Sequence, residues 1–140
     1  MQTFDPKIKF DGTHQRIWDP IRKKYVVLTP EEWVRQQLLF FMIHHKHYPP
    51  SLISVEKKLN VGNVIKRYDI IVYHGLTPWL LVECKKEDAQ INKAALSQIL
   101  AYLSVLSLQH FVLSNGIELH RYDIQAQQWH DNLPEYPINS

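Results

Sequence analysis

Three β-rich apolar runs separated by two short turns fall between positions 52 and 85, and no other feature restricts the fold so strongly. Residues 52–59 read as a strand, 60–63 (Asn-Val-Gly-Asn) as a turn, 65–73 as a second strand, 74–78 as a second turn, and 79–85 as a third, strongly apolar strand. Turns this short join neighbours that run in opposite directions, whereas a parallel pair needs a crossover of about a dozen residues or more. The stretch therefore predicts an antiparallel meander.

On either side the period changes. Thr29 is a good N-cap, Pro30 suits the first helical position, and Glu32 stands three residues after Thr29, as in a capping box. Trp33, Val34, Leu38, Phe41 and Met42 recur at helical spacing until Pro49-Pro50 stops the helix. Residues 91–108 carry Ile91, Ala94, Ala95, Ile99, Tyr102, Leu103 and Leu106, which makes an amphipathic helix with a wide apolar face. Phe111-Val112-Leu113 and residues 117–122 are two further strands about an Asn115-Gly116 turn. Helix, three strands, helix, two strands predicts an α/β fold: a central mixed sheet of about five strands, meander first, flanked by helices. Residues 1–28 are expected as an extended N-terminal arm, 29–124 as the core domain, and 125–140 as a polar tail packed on that domain.

With 140 residues, 45% of them hydrophobic, the chain supports one domain with one core, too small for a helicase motor or a two-domain dehydrogenase. Sixteen Lys and Arg against fourteen Asp and Glu leave +2, too mild a balance to argue for nucleic acid by itself. Cys84 is the only cysteine, so an internal disulfide and a cysteine-based zinc site are both excluded, and a reducing, cytoplasmic setting is expected. No run approaches the roughly 18 apolar residues of a membrane helix, and the first ten residues do not read as a signal peptide. His44, His45 and His47, at the end of the first helix, read as solvated or as partners of its dipole rather than as metal ligands.

The chemistry concentrates on two strands. Asp69 lies inside a β-rich run, and fourteen residues on an apolar strand ends with Glu83 and Lys85, which alternation puts on one side. If these strands pair about residues 74–78, Asp69 and Glu83 come together. Two close carboxylates repel each other, and a hard divalent cation such as Mg²⁺ is their natural compensator. Lys85 beside such a cation could orient an attacking water or stabilise charge developing on a phosphate. Asp…Glu-x-Lys is thus a coherent unit for metal-assisted phosphodiester hydrolysis. Spacing alone leaves a second reading open, a solvated strand end with one surface ion pair. The apolar setting of the carboxylates, where polar residues need a reason, favours the first.

Five segments then line up in order: LTPEEWVRQ (28–36), KRYDIIVY (66–73), LLVECKK (80–86), QILAY (98–102) and FVLSNG (111–116). Together they resemble the PD-(D/E)XK nuclease superfamily. More narrowly, they resemble the N-terminal nuclease domain of the type I restriction enzyme R subunit, in a short stand-alone form. The resemblance implies a restriction-endonuclease-like fold and Mg²⁺-dependent hydrolysis of DNA, with Mn²⁺ as a substitute ion. It matches Asp69 and Glu83 to the metal-binding acids, Lys85 to the catalytic lysine, and Gln98 and Tyr102 to helix residues beside the site. The further acid such nucleases often take from the first helix is assigned to Glu32, with Glu31 as the alternate; pure capping is the other reading of Glu32. Lys86-Glu87-Asp88 departs from the small and proline residues expected after the lysine.

Lys57, Lys58, Lys66, Arg67, Lys85 and Lys86 cluster on or beside the meander, either to neutralise phosphates or as an ordinary charged sheet edge. Lys66, Arg67, Lys86 and Arg35 are taken as the nucleic-acid contacts, although an intrahelical pair with Glu31 or Glu32 is the favoured reading of Arg35 taken by itself. The expected partners are DNA and the other subunits of a restriction–modification system, with a homodimer as the arrangement that would permit double-strand cutting. The alternative is a catalytically idle nuclease-fold module that binds nucleic acid or a protein partner.

Overall fold

The computed structural model describes residues 2–92, 100, 103 and 106–137. Its first 28 residues are more than an extended arm. Strands β1 (Ile8–Phe10), β2 (Gln15–Asp19) and β3 (Lys24–Val27) form a three-stranded antiparallel sheet in that order. The Asp19-Pro20 turn is closed by Asp19 Oδ1, which accepts from the amides of Ile21 and Arg22 at 2.7 and 2.8 Å.

Helix α1 (Pro30–His44) begins where the sequence predicts, with Thr29 Oγ1 accepting the Glu32 amide at 3.0 Å. The reciprocal half of the capping box is replaced. The Glu32 carboxylate turns to Arg22 and Gln36 instead of the Thr29 amide. Val34, Leu38, Leu39 and Met42 are buried on one side of α1.

After a 3₁₀ turn at Pro50–Leu52 come β4 (Ile53–Val61), β5 (Val64–His74) and β6 (Thr77–Cys84), the predicted meander. The β4–β5 turn is only Gly62-Asn63, and Gly62 at φ +64 supplies the left-handed first position that such a short hairpin needs. β7 (His110–Ser114) lies parallel to β6, β8 (Leu119–Asp123) returns antiparallel, and β9 (Gln128–His130) pairs with β8. The result is a six-stranded mixed sheet in the order β4-β5-β6-β7-β8-β9. The sixth strand comes from the polar tail, which is anchored by buried Leu133 and by the Tyr136 hydroxyl on the Tyr73 carbonyl at 2.8 Å.

Most of residues 91–108, read as a helix, lies outside the described residues, including Ala94, Ala95, Gln98, Ile99 and Tyr102. One core gathers the apolar side of α1 over Ile53, Ile70, Val72, Leu80, Val82 and Val112. A second gathers Tyr68, Ile71, Leu81, Phe111 and Leu113 with Leu103 and Leu108. Each fully buried Leu, Ile or Val contributes on the order of 2 kcal/mol, which is what holds the sheet between its two coverings. Among the described residues no helix is long and apolar enough to cross a membrane.

Candidate active site

The pairing Ile70↔Val82, Ile71↔Leu81, Val72↔Leu80 fixes the register of β5 on β6. Carried one residue further, it sets Asp69 across from Glu83. There a side chain takes over from the backbone ladder: the Cys84 amide donates to Asp69 Oδ2 at 2.6 Å. Glu83 and Lys85 share a side of the strand, with Lys85 Nζ 3.7 Å from Glu83 Oε2. The Lys85 side chain is 46% exposed and that of Glu83 25%, so solvent reaches the pair.

Asp69 has an unusual electrostatic setting. Burial pushes its carboxyl above the ordinary aspartate range, the Cys84 amide and Arg35 pull the other way, and the charges of Glu83 and Glu31 push it up again. Of the two acids at the start of α1, exposed Glu31 thus reaches Asp69 electrostatically. Buried Glu32 is held by partners on both oxygens: Arg22 Nη2 donates to Oε1 at 2.8 Å and Gln36 Nε2 to Oε2 at 3.0 Å. Between Glu83 and Lys85, Cys84 is buried in the first core and its thiol pKa is pushed up by burial.

Arg35 requires a correction. As a nucleic-acid contact it would need to reach solvent, and it is 5% exposed. Its Nη2 stands 3.2 Å from Glu56 Oε1 and 3.5 Å from Asp69 Oδ1, and its Nε lies 3.5 Å from Glu32 Oε2. A buried guanidinium needs acceptors or opposite charge around it, and three carboxylates surround this one. Arg22 ties the same cluster to the N-terminal sheet through Asp19 at 2.7 Å and reaches Glu56 at 3.5 Å. Nε and Nη1 of Arg35 have no hydrogen-bond partner among the described residues.

Glu56, Arg22, Asp19 and Gln36 were not legible as parts of this neighbourhood. Glu56 carried one signal, an acid alone among apolar and basic residues of a strand. It takes φ +55, a left-handed conformation costly for a residue with a Cβ, at the rung where β4 would face Asp69. Of the other expected residues, Arg67 and Lys86 are exposed, Lys66 leans over the Tyr68 ring at 5.6 Å, and Gln98 and Tyr102 lie outside the described residues.

Asp69 and Glu83 are hard oxygen donors whose nearest cations, at 3.5 and 3.7 Å, stand off at long ion-pair distance. That donor set fits a divalent ion of the Mg²⁺ type. Glu32, with both oxygens engaged, fits less well. Among the described residues no group of three or more His, Cys, Asp or Glu is arranged to hold a metal.

Fold and site together define an α/β domain whose mixed sheet presents an aspartate within one strand beside a glutamate and a lysine at the end of its neighbour. Residues 30–137 match the model of the family described as Type I restriction enzyme R protein N terminus, and the chain belongs to that family. A solved fragment of a putative HsdR subunit of a type I restriction enzyme from Vibrio vulnificus YJ016 is similar over 79% of this chain, with 20% identity and a TM-score of 0.54. At that identity the likeness shows a shared fold. The match spans 24% of the Vibrio chain. No curated protein matches the chain.

Proposed function

We propose that this domain is a metal-dependent endonuclease of the PD-(D/E)XK type that hydrolyses DNA phosphodiester bonds. The observation that carries the proposal is the register setting Asp69 across from Glu83, with Lys85 on the Glu83 side at a solvent-accessible strand end. Asp69 and Glu83 would hold one or two Mg²⁺ ions, with Mn²⁺ as substitute. A bound ion would supply Lewis-acid polarisation of the phosphate and a more acidic water. The chain's own groups do the rest. Lys85, held near Glu83, directs its ammonium at the incoming water or at charge developing on the phosphate oxygens. The Cys84 amide fixes the Asp69 carboxylate in orientation. Arg22 and Gln36 fix Glu32, which serves the site as part of its electrostatic wall. Gln98 and Tyr102 are assigned to positioning the backbone or the lysine. The family supports a restriction system, with DNA and restriction–modification subunits as partners; work in the cytoplasm and a homodimer for cutting both strands complete the proposal.

A second reading draws on Arg35. A guanidinium 3.5 Å from Asp69 is a cation already present, as an idle nuclease-fold module would keep. Plasmid nicking with Mg²⁺ or Mn²⁺ separates the two. Wild type is expected to nick, and Asp69→Ala and Lys85→Ala to lose at least about a hundredfold in rate, the scale of one electrostatic catalytic group. Activity that survives both substitutions removes the catalytic assignment. No cleavage of DNA or RNA, together with no divalent binding by calorimetry, establishes the idle module.

A further inference from the structure

The cations of the β4–β5 hairpin separate onto two faces. Cross-strand partners share a face. Lys57↔Tyr68, Leu59↔Lys66 and Val61↔Val64 form one side, and Leu59, Val61 and Tyr68 there belong to the second core. Lys58↔Arg67 and Asn60↔Ile65 form the other, and all four are exposed, Ile65 at 68%. The outer side therefore sets two like charges directly opposite one another, an arrangement that weakens a sheet. Among the described residues Lys58 has no ion pair, and the Arg67 pair is long, 3.8 Å to Glu56. Glu56 in turn bonds Arg35, whose Nη2 stands beside Asp69. The outer face thus leads from Ile65 through the Lys58–Arg67 pair to the candidate site. Arg67 and Asp69 are two residues apart on β5, about 6.6 Å along a strand, comparable to the step between adjacent phosphates of one polynucleotide strand.

We propose that this outer face of the β4–β5 hairpin is the track for the DNA backbone next to the reacting bond. Lys58 and Arg67 grip the neighbouring phosphate from two strands, and Ile65 makes apolar contact with the sugar beyond. The repulsion between the two cations is relieved only when an anion sits between them, so the pair is a receptor for phosphate rather than a structural bond. Lys57 and Lys66, on the core side, take no part. The inference rests on the nuclease reading for its substrate, yet it is tested by binding.

The test is fluorescence-anisotropy titration of a duplex oligonucleotide in EDTA, where no strand is cut, at several salt concentrations. The Lys58→Gln/Arg67→Gln variant is expected to weaken binding at least about tenfold at low salt. It should also lower the slope of log K against log salt by about 1 to 2, one unit per lost phosphate contact. Lys57→Gln/Lys66→Gln, with the same change of charge, is expected to match wild type. The thermal midpoint of the Lys58/Arg67 variant should hold or rise, since a repulsion is removed, so lost binding is not lost folding. Equal losses in the two variants, or none in the Lys58/Arg67 variant, overturn the track. So does a wild type that binds no DNA. A wild type that binds with this face dependence but never nicks leaves the track standing and overturns the nuclease reading. A wild type that nicks while both variants bind alike does the opposite.

Discussion

Two arginines are buried, one on a helix and one in the six-stranded sheet, and they are treated in opposite ways. Arg121, on β8, is 7% exposed, and its donors go to neutral acceptors: Asn132 O at 2.7 Å, Asn132 Oδ1 at 3.0 Å and His110 Nδ1 at 3.2 Å. Arg35, on α1, is as deeply buried, lies among Glu32, Glu56 and Asp69, and leaves two nitrogens without a hydrogen bond among the described residues. The first arrangement satisfies geometry and clamps the C-terminal segment to the sheet. The second concentrates charge and leaves donors unmet, a pattern of functional or strained sites rather than of scaffold. The contrast separates scaffold from candidate site without reference to any ligand.

Removing each arginine is the strongest way to break the comparison. Arg35→Leu strands three carboxylates around an apolar side chain and should cost about 3–5 kcal/mol, the scale for losing one partner of a buried ionic cluster. Arg121→Leu leaves neutral acceptors unmet and should cost about 2 kcal/mol. Urea denaturation at pH 7 with a common m value measures both. Equal costs would mean that the charge around Arg35 is screened as at a surface, and the distinction between the two arginine clusters would fail.

Acid sharpens it. Burial, helped by the Arg121 charge, lowers the His110 pKa to about 4, so the ring stays neutral, with Nδ1 free to accept from Arg121. A histidine whose folded pKa is depressed binds its proton more readily when unfolded. Its contribution is therefore intact above about pH 6.5 and is lost as pH falls towards about 4. The loss over that window should reach about 2 kcal/mol and should flatten in His110→Gln, which is read from urea midpoints at pH 7, 5.5 and 4.5. Asp69 carries the opposite sign. Its raised pKa is a cost at neutral pH that eases as the carboxyl protonates.

How far the molecule could be read in advance differs from element to element for a physical reason. The meander, the α1 cap and the Asp69–Glu83–Lys85 set follow from local pattern: period-two alternation, turn residues, and spacing along two neighbouring strands. The arginine clusters do not. Arg35 lies one turn from Glu31 and Glu32, which suggests an intrahelical pair, and only the approach of β4 brings Glu56 to it. Arg121 reads as a solvent-side residue of a short strand until Asn132 folds over it from a tail that looks merely polar. The N-terminal sheet was obscured in the same way. β1 and β3 are three and four residues long, below the length at which alternation stands out, and they are held largely through pairing with β2.

The smallest expected effect bears on the candidate site most directly. Asp69 is buried enough to have its charge disfavoured, and it faces a second carboxylate, so despite Arg35 it costs stability until a divalent ion binds. Asp69→Asn keeps an oxygen to accept the Cys84 amide and removes the charge. At pH 7 without divalent ions the variant should therefore gain about 0.5–1 kcal/mol, within the range of a site that trades stability for activity. Mg²⁺ should raise the thermal midpoint of wild type in proportion to the logarithm of its concentration and leave the variant unmoved. Near pH 4 the advantage of the variant should shrink, because the wild-type carboxyl is then increasingly protonated. A variant less stable than wild type at pH 7, or one that responds to Mg²⁺ as wild type does, would make Asp69 a structural acid held by Cys84 and Arg35. The difference between the Arg35 and Arg121 clusters would then be one of degree.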